Sequence, residues 1–255
     1  MAIYNDDDAH NLSLAWDQSD LISGQCSRQK TTTQLGQAIT QDFKGRIVLL
    51  SSFGAEAAVL LHLVASIDAN LPVLFLDTGK LFSETLTYRD QLVSRLGLTD
   101  VLSIQPGTDD IIAEDNNQML WQINADRCCY LRKVKPLETA LSGFDVVITG
   151  RKQYHGGTRQ QLPLFEAQNG RLKFNPLTCW LQTEVENYID EFNLPHHPLQ
   201  KDGFLSIGCM TCTKRVAHDS DIRSGRWQEL DKTECGIHLS SPSTARSENV
   251  NTPQI

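Results

Sequence analysis

Short apolar blocks alternate with longer amphipathic ones along this chain, and the block lengths separate strands from helices. The run RIVLLSSF is apolar throughout and bounded by polar residues, the pattern of a strand covered on both faces. PVLFLDTG repeats it, and DVLSIQP and FDVVITG supply two further strands. TTTQLGQAITQDF predicts a helix with a threonine cap. AEAAVLLHLVASI and LFSETLTYRDQLVSRLG have the composition and length of two more helices, and helical segments also separate the later strands. Strand and helix alternate, so the expected architecture is α/β, a doubly wound, mostly parallel sheet. Ligands of such sheets sit at the carboxyl ends of the strands. Those ends read SSFGAE, LDTG and TGRKQ, each with small residues, hydroxyls or cations.

The texture divides the chain. Residues 1–30 are polar and irregular and are expected to form a loosely attached N-terminal arm. The α/β domain spans 31–204, and a loop-rich C-terminal segment spans 205–239. Residues 240–255, rich in Ser, Thr, Asn and Pro, are expected to be a disordered tail. No internal repeat is visible.

Composition narrows the function classes. The 255 residues are 40% hydrophobic and 21% charged, which is ordinary globular usage. No stretch approaches the roughly 20 apolar residues of a membrane span, and MAIYNDDDAHNL lacks a signal-peptide pattern. The expectation is a cytoplasmic protein with no membrane partner. A net charge of −8 argues against a broad nucleic-acid-binding face. Basic residues are still bunched: Arg127, Arg132, Lys133 and Lys135; Arg151, Lys152 and Arg159; Lys214, Arg215, Arg223 and Arg226. A local cationic pocket in an acidic chain suits a small anion, whereas solvated surface charge is the plainer reading of any single group.

Seven cysteines, an odd number in a reducing compartment, point to metal binding or catalysis rather than a disulfide framework. Cys128 and Cys129 are adjacent, with Cα atoms about 3.8 Å apart. Relaxed disulfides need roughly 4.4–6.8 Å, so a bridge between them would be strained. Cys209 and Cys212 form a second pair in CMTC. Four thiolates in two pairs suit Zn²⁺ or a [4Fe–4S] cluster, and spacing alone does not decide. The adjacent pair is unusual for zinc, whereas a cubane offers several iron corners. If Cys129 and Lys133 share a helix, their i,i+4 spacing sets the ammonium beside the thiolates. Cys235, in KTECGIH, reads as an exposed thiol on a flexible segment near cations, a candidate nucleophile or a stray surface cysteine. Cys26 and Cys179 read as structural or incidental.

SSFGAE follows a strand and opens a helix, so Ser51, Ser52, Phe53 and Gly54 could hold a phosphate. It is neither a Walker loop nor a Rossmann fingerprint. Asp77, Thr78 and Gly79 end the next strand, where they could meet a ribose or base, or simply cap a helix.

Together, SSFGAE, LDTG, CCYLRKVKPL, CMTC, RSGRW and ECGIH resemble, in that order, the assimilatory adenylyl-sulfate reductases of the PAPS/APS reductase family. The resemblance runs from about Thr31 to His238. It implies an adenine-nucleotide α-hydrolase-like fold and thioredoxin-dependent reduction of adenosine 5′-phosphosulfate to sulfite and AMP, in sulfate assimilation and cysteine biosynthesis. It implies that Cys235 attacks sulfur to form an S-sulfocysteine, which thioredoxin or a similar thiol reductant resolves. Cys128, Cys129, Cys209 and Cys212 fall at the ligands of one [4Fe–4S] cluster, and Lys133 between cluster and substrate. Arg159, Arg223, Arg226 and His238 fall at substrate contacts, as do Gly150 and the two strand-end loops. A homo-oligomer is compatible with the sequence, which does not fix the assembly. The segment TGRKQYHGGTRQQ departs from the arginine-rich pattern of many relatives, and the phosphate loop lacks the Ser-Gly-Gly of ATP-cleaving ones. The nearest rival is a reductase of the 3′-phosphorylated nucleotide, or of both. An iron–sulfur tRNA thiolase would need an ATP-type loop and a basic RNA surface. An iron or redox sensor would leave Cys235, Arg223 and Arg226 idle.

Overall fold

The computed structural model describes residues 3–18, 27–217, 220–228 and 232–238. Cys26 and the 240–255 tail expected to be disordered lie outside the described residues. The sheet has six strands: β1 (Ile47–Ser51), β2 (Val73–Leu76), β3 (Val101–Ile104), β4 (Val146–Thr149), β5 (Phe165–Gln168) and β6 (Arg171–Phe174). Their spatial order is β3-β2-β1-β4-β6-β5, parallel except for β5 against β6. The expected doubly wound, mostly parallel sheet is therefore the observed one.

Every residue of β1, β2 and β4 is buried, as their unbroken apolar runs require. Period-2 alternation splits each strand between two layers. Ile47, Leu49, Val73, Phe75, Val146 and Ile148 face one layer, and Val48, Leu50, Leu74, Leu76 and Val147 the other. The first layer is closed by α1 (Asp6–Gln18), α2 (Arg28–Gln37), α3 (Ala57–Ala65), α4 (Ser83–Leu96) and α9 (Gln182–Glu191). On the second layer lies a helical run that begins after the short α5 (Thr108–Glu114) and α6 (Leu120–Ile123). It comprises α7 (Ala125–Cys129), a π-helical turn (Tyr130–Val134) and α8 (Lys135–Ala140). Leu137 and Leu141 pack it onto the sheet.

Three local features differ from the sequence-based expectation. The N-terminal segment, expected irregular and loosely attached, carries α1, which buries Ala9 and Trp16. The Trp16 ring stands edge-on to Phe165 and Phe174, with centroids 5.1 and 5.6 Å away. Helix α2 starts before the threonine run, capped by Ser27, whose hydroxyl accepts from Lys30 N at 3.2 Å. Thr31 instead faces inward, receiving Trp180 Nε1 at 2.9 Å. Strands β5 and β6 form a hairpin turned by Asn169 and Gly170, both at positive φ (52° and 74°). An Asn-Gly pair between strands is a direct hairpin signal.

His197, in the segment after α9, is buried against α4, 1% exposed. Its Nδ1 accepts from Leu199 N at 3.2 Å, so the proton sits on Nε2 and is donated to Thr85 Oγ1 at 3.0 Å. Burial lowers its pKa from 6.5 to about 4. The unfolded chain binds the extra proton between those values, so stability is full above about 6.5 and is lost as pH falls through about 4. Urea melts across this window should show a loss of at most about 1.4 kcal/mol per pH unit, and His197→Asn should flatten that limb.

Candidate active site

Strands β2 and β3 lie on one side of β1 and β4 on the other, so the topological switch point falls between β1 and β4. A cavity of about 230 Å³ opens there, at the carboxyl ends of these strands. Ser51, Ser52 and Gly54 line it after β1, Thr78 after β2, and Gly150 and Arg159 after β4. Lys133 enters from the helical run, and Arg223, Arg226, Cys235 and His238 from the C-terminal segment. Phe53, Asp77 and Gly79 do not line it. Phe53 is fully buried at φ 47°, its ring edge-on to Phe75, and so anchors the loop from below. Asp77 closes a turn, accepting from Gly79 N at 3.1 Å and from Gln105 Nε2 at 2.9 Å. Gly79 takes φ +68° in that turn.

The basic group after β4 is divided among separate partners. Lys152 Nζ donates to Glu56 at 2.8 Å, and Tyr154 OH and His155 Nε2 reach the same carboxylate at 2.5 and 3.0 Å. Burial works to raise the Glu56 pKa, but Lys152 and His155 hold it well below the carboxylate range. Arg151 bridges Glu166 and Asn175. Of the three cations, Arg159 alone is directed toward the C-terminal segment, where it meets Glu234.

Cys128 and Cys129 end α7, at the point where the ladder widens into the π turn. Pro136 explains the widening. It has no N–H to donate back to Arg132, and its ring would crowd that carbonyl. Lys135 N bonds Tyr130 O, five residues back. The wider turn buries both Arg132 and Lys133. Arg132 is structural: it pairs with the buried Asp115 at 2.5 Å and donates to Thr78 O at 2.8 Å. Lys133 faces Cys209, Cys235 and Cys129; burial alone would lower its pKa, and these thiols raise it, so the ammonium stays charged.

The CMTC loop is stitched to both neighbours. Met210 N donates to Lys80 O at 2.8 Å, and Cys209 Sγ lies 3.3 Å from the Thr78 hydroxyl. Trp227 N donates to Cys212 O at 3.2 Å, and Lys214 N to Gly225 O at 2.8 Å. A Cβ on Gly225 would sit 2.4 Å from Lys214 O, so this approach requires glycine in RSGRW. The buried Trp227 ring carries the Arg226 guanidinium at 4.5 Å and that of Arg223 at 5.5 Å.

Cys235 is buried, not the exposed thiol expected from the sequence. The segment around it is docked: Ile237 packs on the second core layer, and Lys173 Nζ donates to Ile237 O at 2.7 Å. A hydrogen bond with Cys129 lowers the Cys235 pKa most; burial opposes this, while Lys133 and Arg226 add to the lowering. The same bond, with burial, raises Cys129. Burial pushes Cys128 up to about 11. Burial and the neighbouring Lys173 and Arg151 keep His238 neutral, and its buried Nδ1 has no hydrogen-bond partner among the described residues.

Cys128, Cys129, Cys209 and Cys212 are all unbridged. Cys212 packs against the small buried cluster of Cys129, Trp227 and Cys235, so the two cysteine segments converge. Among the described residues no three His, Cys, Asp or Glu side chains are already gathered around a metal position. The donor set fits a thiolate-bound centre in chemistry and placement; the closed chelate is not preformed. Cys179, by contrast, is disulfide-bonded, a departure from the expectation that the cysteines serve metal binding or catalysis.

Lys173 and Glu234 escaped sequence reasoning. Burial, then Arg151, lowers the Lys173 pKa to about 7. It lies on β6 beside Val147 of β4, whereas recognising the Asn-Gly hairpin would have placed it only opposite Glu166 of β5. Nothing in the spacing of Glu234 announces its partners.

A parallel sheet with a cationic cavity at its switch point and a thiol beside it defines a nucleotide-binding α/β protein with a nucleophile. Residues 46–215 match the phosphoadenosine phosphosulfate reductase domain, and the chain belongs to that family. It is 47% identical over 196 residues to an adenosine 5′-phosphosulfate reductase of Chelativorans sp., covering 77% of this chain and 80% of that one. It is 48% identical over 198 residues to one of Mesorhizobium japonicum, covering 78% of each. The fold is similar to that of a phosphoadenylyl-sulfate reductase of Candida auris in complex with phosphate. The TM-score is 0.58 at 24% identity, over 74% of this chain and 98% of that one. Arg223, Arg226, Cys235 and His238 lie beyond the matched domain. No helix among the described residues is long and apolar enough to cross a membrane.

Proposed function

We propose that this protein reduces adenosine 5′-phosphosulfate to sulfite and AMP at the expense of a dithiol such as thioredoxin, in the cytoplasm, as a step of sulfate assimilation. The observation that carries the reading is the meeting of Cys235 with Lys133, Arg223 and Arg226 in the cavity that the Ser51–Gly54 loop also lines. The identity to the two adenosine 5′-phosphosulfate reductases supports it.

The nucleotide lies across the switch point, its phosphate against Ser51, Ser52 and Gly54. Thr78 and Gly150 border the nucleoside. Arg159, Arg223 and Arg226 face the phosphosulfate, with His238 beside it. Asp77, Gly79 and Phe53 shape these loops rather than touch the ligand. The Cys235 thiolate attacks sulfur, forming an S–S bond; the S–O bond breaks and AMP leaves with its electron pair. The reductant's thiolate then attacks Cys235 Sγ, sulfite departs with the S–S electrons, and the second reductant thiol restores Cys235. Both leaving groups are anions and the nucleophile is an anion, so the cations lower the cost of bringing them together. Cys128, Cys129, Cys209 and Cys212 would hold a [4Fe–4S] cluster, which when bound supplies fixed charge and ties the two cysteine segments together.

The test is anaerobic purification, iron and sulfide analysis, and sulfite release from both nucleotides with a dithiol donor. About four irons and four sulfides per chain are expected, with faster turnover of adenosine 5′-phosphosulfate. Zinc without sulfide overturns the cluster. Faster turnover of the 3′-phosphorylated nucleotide overturns the substrate, and no sulfite from either overturns the reaction.

A further inference from the structure

The residue before the nucleophile occupies the guanidinium groups that an incoming anion needs. Arg159 donates through Nε to one oxygen of Glu234 and through Nη2 to the other, the latter at 3.0 Å. Arg223 Nη2 lies 3.4 Å from Glu234 Oε2, and Cys235 N donates to the same oxygen at 3.2 Å. The Glu234 side chain is 6% exposed and that of Arg159 10%, so this is a desolvated fork-to-fork pair rather than a surface contact. Arg159, Arg223, Glu234 and Cys235 all line the one cavity. A carboxylate chelated by a guanidinium has the charge and the oxygen spacing of one edge of a phosphate or sulfuryl group. The two cannot share the same donors.

We propose that Glu234 is a built-in placeholder for the substrate anion: its carboxylate holds the Arg159–Arg223 seat in the free protein, and the nucleotide's phosphosulfate displaces it. The inference rests on the reading that this cavity takes a sulfonucleotide. Displacement has a consequence for the neighbouring residue. Glu234 and Cys235 are adjacent, and Cys235 rests against Cys129. Ejecting the carboxylate unfastens the segment that carries the nucleophile, so the thiol is released when an anion is present. The placeholder also keeps the buried Arg159 and the half-buried Arg223 satisfied between turnovers.

Equilibrium binding of AMP and adenosine to the anaerobic full-length protein and to its Glu234→Gln variant tests this. A neutral amide keeps the size and hydrogen bonds but not the charge. If the closed form dominates the free protein by about ten to one, its loss tightens AMP binding about tenfold. Adenosine, which has no anion, should bind both proteins alike. A merely structural glutamate would, on removal, weaken AMP binding or leave it unchanged, and either result overturns the proposal, as does an equal gain for adenosine. Should the variant not fold, the wild-type protein carries the test. Inorganic pyrophosphate should speed iodoacetamide labelling of Cys235, read by peptide mass mapping, relative to chloride at equal ionic strength; no acceleration overturns the proposal. Sulfite release by the wild-type protein is scored separately. Loss of that activity reading with AMP still tightened by Glu234→Gln would sink the assigned reaction and leave the placeholder standing.

Discussion

Cys235→Ser is expected to abolish sulfite formation, lowering turnover by more than about 10⁴-fold, while iron content and nucleotide affinity stay at wild-type levels. Serine is close in size, so the small cluster of Cys129, Trp227 and Cys235 keeps its packing. What changes is the nucleophile. The hydrogen bond with Cys129 lowers the Cys235 pKa; burial opposes this, and Lys133, the Ile237 N–H and Arg226 complete the lowering. Those groups stabilise a thiolate. A serine hydroxyl starts several units higher, and His238, whose pKa burial and the neighbouring Lys173 and Arg151 push far down, is too weak a base to activate it. Sulfur is also the better attacking atom on a sulfuryl group, and only sulfur yields an adduct a dithiol can reduce. Mass spectrometry of wild-type protein after substrate without reductant should show a sulfonate added at Cys235 and nothing at this position in the variant. A Cys235→Ser protein with appreciable turnover would remove the thiol from the reaction.

The sheet was legible because its central strands are buried on both faces, which forces continuous apolar runs such as Ile47–Leu50 and Val73–Leu76. The carboxyl ends of those strands follow from the architecture, and the cavity opens on them. Strands β5 and β6 were less legible because they alternate polar and apolar residues, one of them at the sheet edge. Their Asn-Gly turn was the available signal. Helix α1 was hidden by its composition: three leading aspartates and a polar face obscure its two buried residues, Ala9 and Trp16. In the site, Cys128, Cys129, Cys209 and Cys212 announce themselves by pairing, and the structure brings Cys235 to them. The burial of Cys235 was not legible. It depends on long-range contacts, Lys173 to Ile237 and Arg159 to Glu234, that join residues more than sixty positions apart. The same holds for the π turn at 130–134. Pro136 signals a disturbed helix, but only the packing decides that the disturbance buries a lysine.

That lysine is the second decisive residue: Lys133→Met is expected to lower kcat by about 10²–10³-fold with iron retained. Lys133 is 9% exposed and faces Cys209, Cys235 and Cys129. Burial would discharge it in isolation, yet the thiols raise its pKa above the ordinary lysine value, so it is a permanent cation at neutral pH. Methionine keeps the volume and the helix and removes only the charge. The pH dependence separates this from a packing effect. Lys133 is among the groups that lower the Cys235 pKa, so its loss raises that pKa. The thiolate fraction of the variant then falls at neutral pH and recovers as pH rises. The wild-type profile of kcat/KM should be flat through neutrality, and the variant's should climb with unit slope until the new thiol pKa is passed. Lys133→Arg keeps a charge on a longer, planar group that the buried thiols do not accommodate. It should restore the flat profile while leaving kcat reduced. A methionine variant that is slower but has an unshifted profile would mean that Lys133 shapes the site without setting its charge.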